Sequence, residues 1–143
     1  MDPETDFTPL LQRFAAQGWR LELPESIRGQ WQWFSATDAQ RRASIEEAWN
    51  DPTLDGVVYV GGGWGSARVL ESGLNFPDRP FWSLGFSDSS ALLLAQWQAG
   101  LLGAIHGSAW GVEDQWQRTV DLLSGRPTQP LQGRGLRGRM ARG

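Results

Sequence analysis

The stretch Phe81-Trp82-Ser83-Leu84-Gly85-Phe86-Ser87-Asp88-Ser89-Ser90-Ala91-Leu92-Leu93-Leu94-Ala95-Gln96-Trp97-Gln98-Ala99-Gly100 holds the pattern on which the fold turns. Residues 81–84 read as a buried strand. Residues 85–90 are small and polar and read as a turn. Residues 91–99 form a strongly apolar helix that Gly100 closes. Strand, sharp turn and helix in this order lift Ser87 above a sheet edge, the geometry in which a serine nucleophile is presented. The amide of Asp88 and the start of the helix would then face developing negative charge. Gly85 gives the backbone freedom such a turn needs. The pattern is G-x-S-x-S, however, not the usual G-x-S-x-G. The competing reading is that Ser87, Asp88 and Ser89 merely cap the helix.

The same alternation extends in both directions. Upstream, Val57-Val58-Tyr59-Val60 suits a strand buried on both faces. Gly61-Gly62-Gly63-Trp64-Gly65 follows, and then a short helix around 67–70. Downstream, 101–105 reads as a strand ending at His106. Residues 112–123 form a helix with Val112, Trp116, Val120 and Leu123 on one face. Nearer the start, Phe7, Leu10, Leu11, Phe14 and Ala15 recur at helical spacing, with Thr8 as a candidate cap and Pro9 at the first helical position. Trp19, Leu21 and Leu23 alternate like a short strand. Residues 24–36 read as a loop carrying Trp31, Trp33 and Phe34. Thr37-Asp38-Ala39-Gln40 has the form of a capping box for a helix that Asn50-Asp51-Pro52 stops. These elements predict an α/β fold: a mostly parallel sheet with helices on both faces, Rossmann-like or flavodoxin-like. Segments 61–65, 85–90 and 106–108 would share the carboxyl edge, where open α/β sheets bind ligands.

Composition narrows the chemistry. The chain has 143 residues, enough for one domain with a sizeable core. We expect an α/β domain over 1–125, followed by a linker and the start of another domain over 126–143. There is no Cys, which removes disulfides and thiolate chemistry, and no Lys, which removes a Lys base or Schiff base. One His leaves little for a metal site, so neither metal nor cofactor is expected. The start lacks the regions of a signal peptide, and no apolar run approaches the roughly 20 residues of a membrane span. A cytoplasmic location without membrane partners is the expectation. All 16 acidic residues precede 126, while five of the 13 Arg follow 125, so an acidic body precedes a basic tail. An acidic body argues against a nucleic-acid partner, although the tail is arginine- and glycine-rich.

Other candidate residues flank Ser87. The run Gly61-Gly62-Gly63-Trp64-Gly65 lets main chain approach a ligand closely, with amides free to donate. An oxyanion hole or a substrate cradle fits it, and so does a tight turn that binds nothing. A phosphate loop would need a following Lys, and the dinucleotide fingerprint would need Gly at Ser66. His106 closes a strand on the same edge and is a candidate base, or a histidine that only positions its loop. Nothing in the spacing identifies an acid to orient it. The pairs Glu46-Glu47 and Glu113-Asp114 read as a solvated face and as first-turn helix charge.

At these segments the chain resembles the LD-carboxypeptidase family of serine peptidases, which includes the microcin-immunity peptidases. Thr37-Asp38-x-x-Arg41 is similar to the family's T-D-x-x-R, and Ala48-Trp49-Asn50-Asp51-Pro52 to its helix end. Gly62-Gly63-Trp64-Gly65 is similar to its G-G-[YF]-G turn, Gly85-Phe86-Ser87-Asp88 to its G-[YF]-S-D, and His106-Gly107 to the start of its H-G-P. The resemblance implies that Ser87 is the nucleophile, with the amides of Asp88, Gly62 and Gly63 as oxyanion hole. Trp64, Gly65 and His106 become substrate-pocket candidates. It implies a peptide substrate, murein tetrapeptide losing its terminal D-amino acid in cell-wall recycling, no metal, and a homodimer. Two alternatives stay open: a non-catalytic peptide-binding relative of the same fold, and a microcin-immunity-like amide hydrolase. The chain departs from the family at Gly61, Ser90 and Ser108, where the family has Arg, Thr and Pro. The histidine matching His106 is not the family's base. The family takes its Glu and His from a C-terminal domain, of which 131–138 resemble the first stretch, and its opening strand has no counterpart here. The expectation is therefore a part of such an enzyme, inactive alone.

Overall fold

The structure is a computed structural model and describes residues 4–129. Three short parallel strands form its sheet in the order β1 (Gly56–Val58), β2 (Trp82–Gly85), β3 (Ala104–His106). Gly56 pairs with Trp82 and Val58 with Leu84. On the other side of β2, Ser83 pairs with Ala104 and Gly85 with His106. The amide of Tyr59 donates to Leu84 O at 2.8 Å, so the ladder continues one residue beyond β1.

Helices cover both faces, as expected for an all-parallel sheet. On one face Leu84 and Ile105, with Val58 and Val60, pack against Phe7, α1 (Thr8–Ala15) and α5 (Glu113–Leu123). Leu10 and Phe14 enter from α1, Trp116 and Val120 from α5. The rings of Phe14 and Trp116 lie 5.0 Å apart. The opposite face carries α2 (Asp38–Asn50), α3 (Ser66–Glu71) and α4 (Ser90–Gln98). There Trp49 of α2 stacks on Phe76 at 4.9 Å and meets Phe81 edge-on. Gln96 of α4 is buried and donates to both Phe81 O and Leu102 O, which fixes α4 to the entries of β2 and β3.

The α2 start is the capping box read from the sequence. Thr37 Oγ1 accepts from the Gln40 amide, and the Gln40 side chain accepts from the Thr37 amide. At the other end Arg79 donates to Trp49 O, Asp51 O and Leu54 O, placing a cation on the carbonyls that a helix end leaves open.

Two local expectations are corrected. Residues 19–23 form no strand: Trp19, Leu21 and Leu23 turn to the α1–α5 core from extended chain with no strand alongside. Alternation arises wherever extended chain lies on a core, paired or not. The acceptor at the start of α1 is Asp6, whose Oδ1 takes the Thr8 amide at 2.9 Å; Thr8 is already helical. The loop 24–36 contains a single 3-10 turn, Glu25–Arg28, and a tight turn closed by reciprocal bonds between Trp31 and Phe34. Of the expected linker, residues 130–143 lie outside the described residues.

Candidate active site

Ser87 stands two residues past the end of β2, and its backbone explains why the chain turns there. Its φ is +57°, the left-handed region that L-residues other than Gly rarely occupy. A conformation of that kind costs of order 1–3 kcal/mol and is held only where the surroundings enforce it. They do so here. Ser89 Oγ donates to Phe86 O at 2.7 Å, tying the turn to itself. A Cβ on Gly85 would fall 2.5 Å from Ser89 Oγ and 3.0 Å from Tyr59, so the position admits only glycine. The Ser87 side chain is exposed at the carboxyl edge.

The helix-capping alternative for these residues fails on geometry. Neither Ser87 nor Ser89 accepts a capping hydrogen bond at the start of α4. Asp88 instead uses its carboxylate at long range: Oδ2 accepts from the Ser66 amide at 3.0 Å and from Ser66 Oγ at 2.8 Å. The turn around Ser87 is thereby latched to the start of α3.

The glycine run 61–65 lies against Ser87. A Cβ on Gly62 would sit 3.0 Å from Ser87 Cβ and 3.2 Å from Ser87 Oγ, so a side chain there would crowd the Ser87 hydroxyl. Gly63 has φ +125°. Among the described residues, the amides of Gly62 and Gly63 donate no backbone hydrogen bond. The amide of Asp88 lies in the first turn of the short helix Ser87–Ser89, where no intrahelical acceptor exists. Of these two glycines, Gly62 is the one in direct contact with the Ser87 hydroxyl.

The far end of the glycine run is held from α2. Arg41 Nη2 donates to Gly65 O at 3.1 Å and to Asp38 Oδ1 at 2.5 Å. Asp38 Oδ2 accepts from Arg68 Nε and Nη2 at 2.9 and 2.6 Å. These bonds, Arg68's first and Arg41's second, hold the Asp38 carboxyl below the usual carboxylate range. Both guanidinium groups lie over the Phe34 ring, at 4.8 and 5.8 Å. Gly65 is buried, and a Cβ there would meet Arg41 at 2.6 Å.

The remaining predicted residues sit on the rim. Trp64 is 78% exposed. His106 ends β3 beside Gly85 and is exposed; the following amide, of Gly107, donates to Gly85 O at 2.8 Å. No hydrogen bond joins His106 to Ser87, so the structure does not bring the candidate base to the candidate nucleophile. Trp110 donates from its indole to Val60 O at 2.9 Å, bracing the end of β1 from the other side. Among the described residues no group of three or more His, Cys, Asp or Glu is placed to hold a metal ion, and no helix is long and apolar enough to cross a membrane.

Sequence reasoning placed Ser87 and the glycine run on one edge but missed their fastenings. Ser66 had entered only as the residue that breaks a dinucleotide fingerprint, and Arg41 only as part of a helix opening. The i, i+3 spacing of Asp38 and Arg41 was the available signal, since it puts both on one helix face.

An α/β domain with a strained serine at its carboxyl edge, backed by a glycine turn, is thus the class that fold and geometry define. A family model described as the LD-carboxypeptidase N-terminal domain matches residues 1–107. The chain is also 33% identical over 133 residues to a Synechocystis sp. protein named "Putative carboxypeptidase slr1534". That match covers 88% of this chain and 44% of the relative, so the chain spans less than half of the relative's length. The chain belongs to the LD-carboxypeptidase family.

Proposed function

We propose that this chain carries the nucleophile-bearing part of a serine-type LD-carboxypeptidase that releases the terminal D-amino acid of murein tetrapeptide. The observation that carries the reading is the pairing of Ser87, at φ +57°, with Gly62 packed against its Cβ and Oγ. Strain of this kind, beside open amides at a sheet edge, suits a nucleophile better than a structural serine.

In this reading Ser87 Oγ attacks the carbonyl carbon of the bond between an L-centre and the terminal D-residue. The hydroxyl proton leaves to a general base, and the new oxyanion is received by the amides of Asp88, Gly62 and Gly63. The C–N bond breaks, the leaving amine takes a proton, and water then hydrolyses the acyl-enzyme. The family resemblance implies a base from a C-terminal region, and His106 makes no hydrogen bond with Ser87 that would give it that role here. Trp64 and Gly65 would line the substrate side of the turn. A microcin-type conjugate in place of the murein peptide would use the same nucleophile.

Labelling with a fluorophosphonate serine probe tests the assignment, on the 143-residue chain and on a fusion to the remaining region of the Synechocystis relative. The expected result is labelling of the fusion that disappears in Ser87→Ala. Binding of murein tetrapeptide with no labelling of either form would replace the hydrolase reading with that of a peptide-binding module.

A further inference from the structure

We propose that Arg41, anchored by Asp38, is a positioning residue for the oxyanion amides of the Gly62–Gly63 turn. The proposal rests on the reading of Ser87 and that turn as a nucleophile and its oxyanion site. Its physical basis is separate, because it concerns what makes a glycine-rich turn hold one shape.

Gly61, Gly62 and Gly63 have the greatest backbone freedom of any residue type, and ordering them carries a correspondingly large entropic cost. Donors to a developing oxyanion work only if they are already in place, to within about half an ångström. Something outside the glycines must therefore fix the turn. Its first end lies two residues past β1, where Trp110 bonds to Val60 O. Its last residue, Gly65, is held by Arg41 Nη2 on the carbonyl at 3.1 Å, and both Arg41 terminal nitrogens occupy the space a Cβ on Gly65 would need. Asp88 holds the next residue, Ser66, from the opposite side.

The Arg41 guanidinium is itself set by two contacts. Asp38 Oδ1 takes Nη2, and the Phe34 ring lies 4.8 Å beneath. The other Asp38 oxygen binds Arg68, on the helix that the turn leads into. One carboxylate on the first turn of α2 thus aligns both the arginine that grips the turn and the helix that continues it. Both hydrogen bonds leave one nitrogen, Nη2, so what the guanidinium adds over a Lys is its broad face on the Phe34 ring, which holds that nitrogen in place.

A residue that only stabilised the fold would lower the melting temperature and leave the turn rigid in the folded molecules. A positioning residue loosens the turn while the sheet stays ordered. Backbone amide order parameters from NMR relaxation separate the two in the full chain. In Arg41→Gln the values at Gly62, Gly63 and Gly65 are expected to fall from about 0.85 to below about 0.6, with β2 and α5 unchanged. Asp38→Asn, which keeps shape but weakens the anchor, is expected to give a smaller fall at the same residues, and it serves if Arg41→Gln does not fold. Order parameters at the glycines that stay at the parent value in either folded variant overturn the proposal.

Probe labelling of the fusion protein supplies the functional arm. The maximal labelling rate is expected to drop about tenfold or more in Arg41→Gln, with the half-saturating probe concentration within about twofold, because displaced oxyanion donors affect the transition state and not ground-state binding. Arg41→Lys should recover only part of the rate. An unchanged maximal rate in Arg41→Gln overturns the positioning role. If the unsubstituted fusion does not label at all, the Ser87 reading fails, while the order parameters still decide whether Arg41 sets the turn.

Discussion

Ser87 combines two demands that conflict. A left-handed backbone is natural for glycine, yet the proposed chemistry needs a hydroxyl at that position. The structure keeps the hydroxyl and accepts the strain, using Gly85 and Gly62 on either side to make the room. A stability measurement can isolate that strain. Ser87→Gly relieves it, while Ser87→Ala removes the hydroxyl and keeps it. The glycine variant also gains freedom in the unfolded chain, which offsets part of the relief. We expect Ser87→Gly to be more stable than Ser87→Ala by about 0.5–1 kcal/mol, read from urea unfolding followed by Trp fluorescence. Equal midpoints, or a less stable glycine variant, would mean the turn is not strained. Both variants should be unreactive toward the serine probe, so that stability and reactivity part at one residue.

The elements owe their positions to a few polar side chains inside apolar layers. Gln96 is the clearest, because it is 2% exposed and its amide joins α4 to main-chain carbonyls at two strand entries. Gln96→Leu fills the space but leaves Phe81 O and Leu102 O without that donor. A cost of about 1–3 kcal/mol follows, and a chemical-denaturation midpoint that did not move would refute it. Gln96 also shows where sequence stops being informative. Helical periodicity, cap and stop signals and buried apolar runs pointed to the five α-helices and three strands among the described residues, because burial and helix ends leave local marks. The turns at 61–65 and 85–90 were legible as well, since glycine and serine after a buried strand leave few conformations. Long-range polar partners were not. Gln96 sat in an apolar run with no mark of its bonds, and Asp88 read as a cap although it reaches 22 residues back to Ser66. Such pairs depend on how elements stack, which no local period encodes. The strand read into 19–23 failed for a related reason: alternation reports which side chains face a core, and says nothing about a neighbouring strand.

Across the whole molecule, the missing residue types shape the response to pH. With no Lys, no Cys and a single His, few groups titrate between the carboxylates and tyrosine, while Arg stays charged throughout. At the acid end Asp6, Asp38, Asp51 and Asp121 are all held below the usual carboxylate range. Hydrogen bonds from Thr8, Arg68, Thr53 and Arg126 respectively are the leading causes. The unfolded chain therefore binds more protons as pH falls below about 4, and stability present above that point is lost as these groups protonate in the folded state. At the alkaline end Tyr59, the only tyrosine, is raised. Burial is the main cause, while Ser83 and Trp49 beside its hydroxyl offset a part without forming hydrogen bonds of normal geometry. A folded pKa above the unfolded value of about 10 gives the opposite sign: stability is complete below pH 10 and declines as pH rises further. The melting temperature should therefore hold a plateau from about pH 5 to about 9.5 and fall on both sides. Because Tyr59 is the sole phenol, its ionisation can be followed directly by absorbance near 295 nm. Tyrosinate should form only as the protein unfolds, and Tyr59→Phe should flatten the alkaline fall while leaving the acid one in place. Tyrosinate appearing near pH 10 with the Trp fluorescence still native would show that the Tyr59 hydroxyl reaches water, and that the layer between α2 and the sheet is open there.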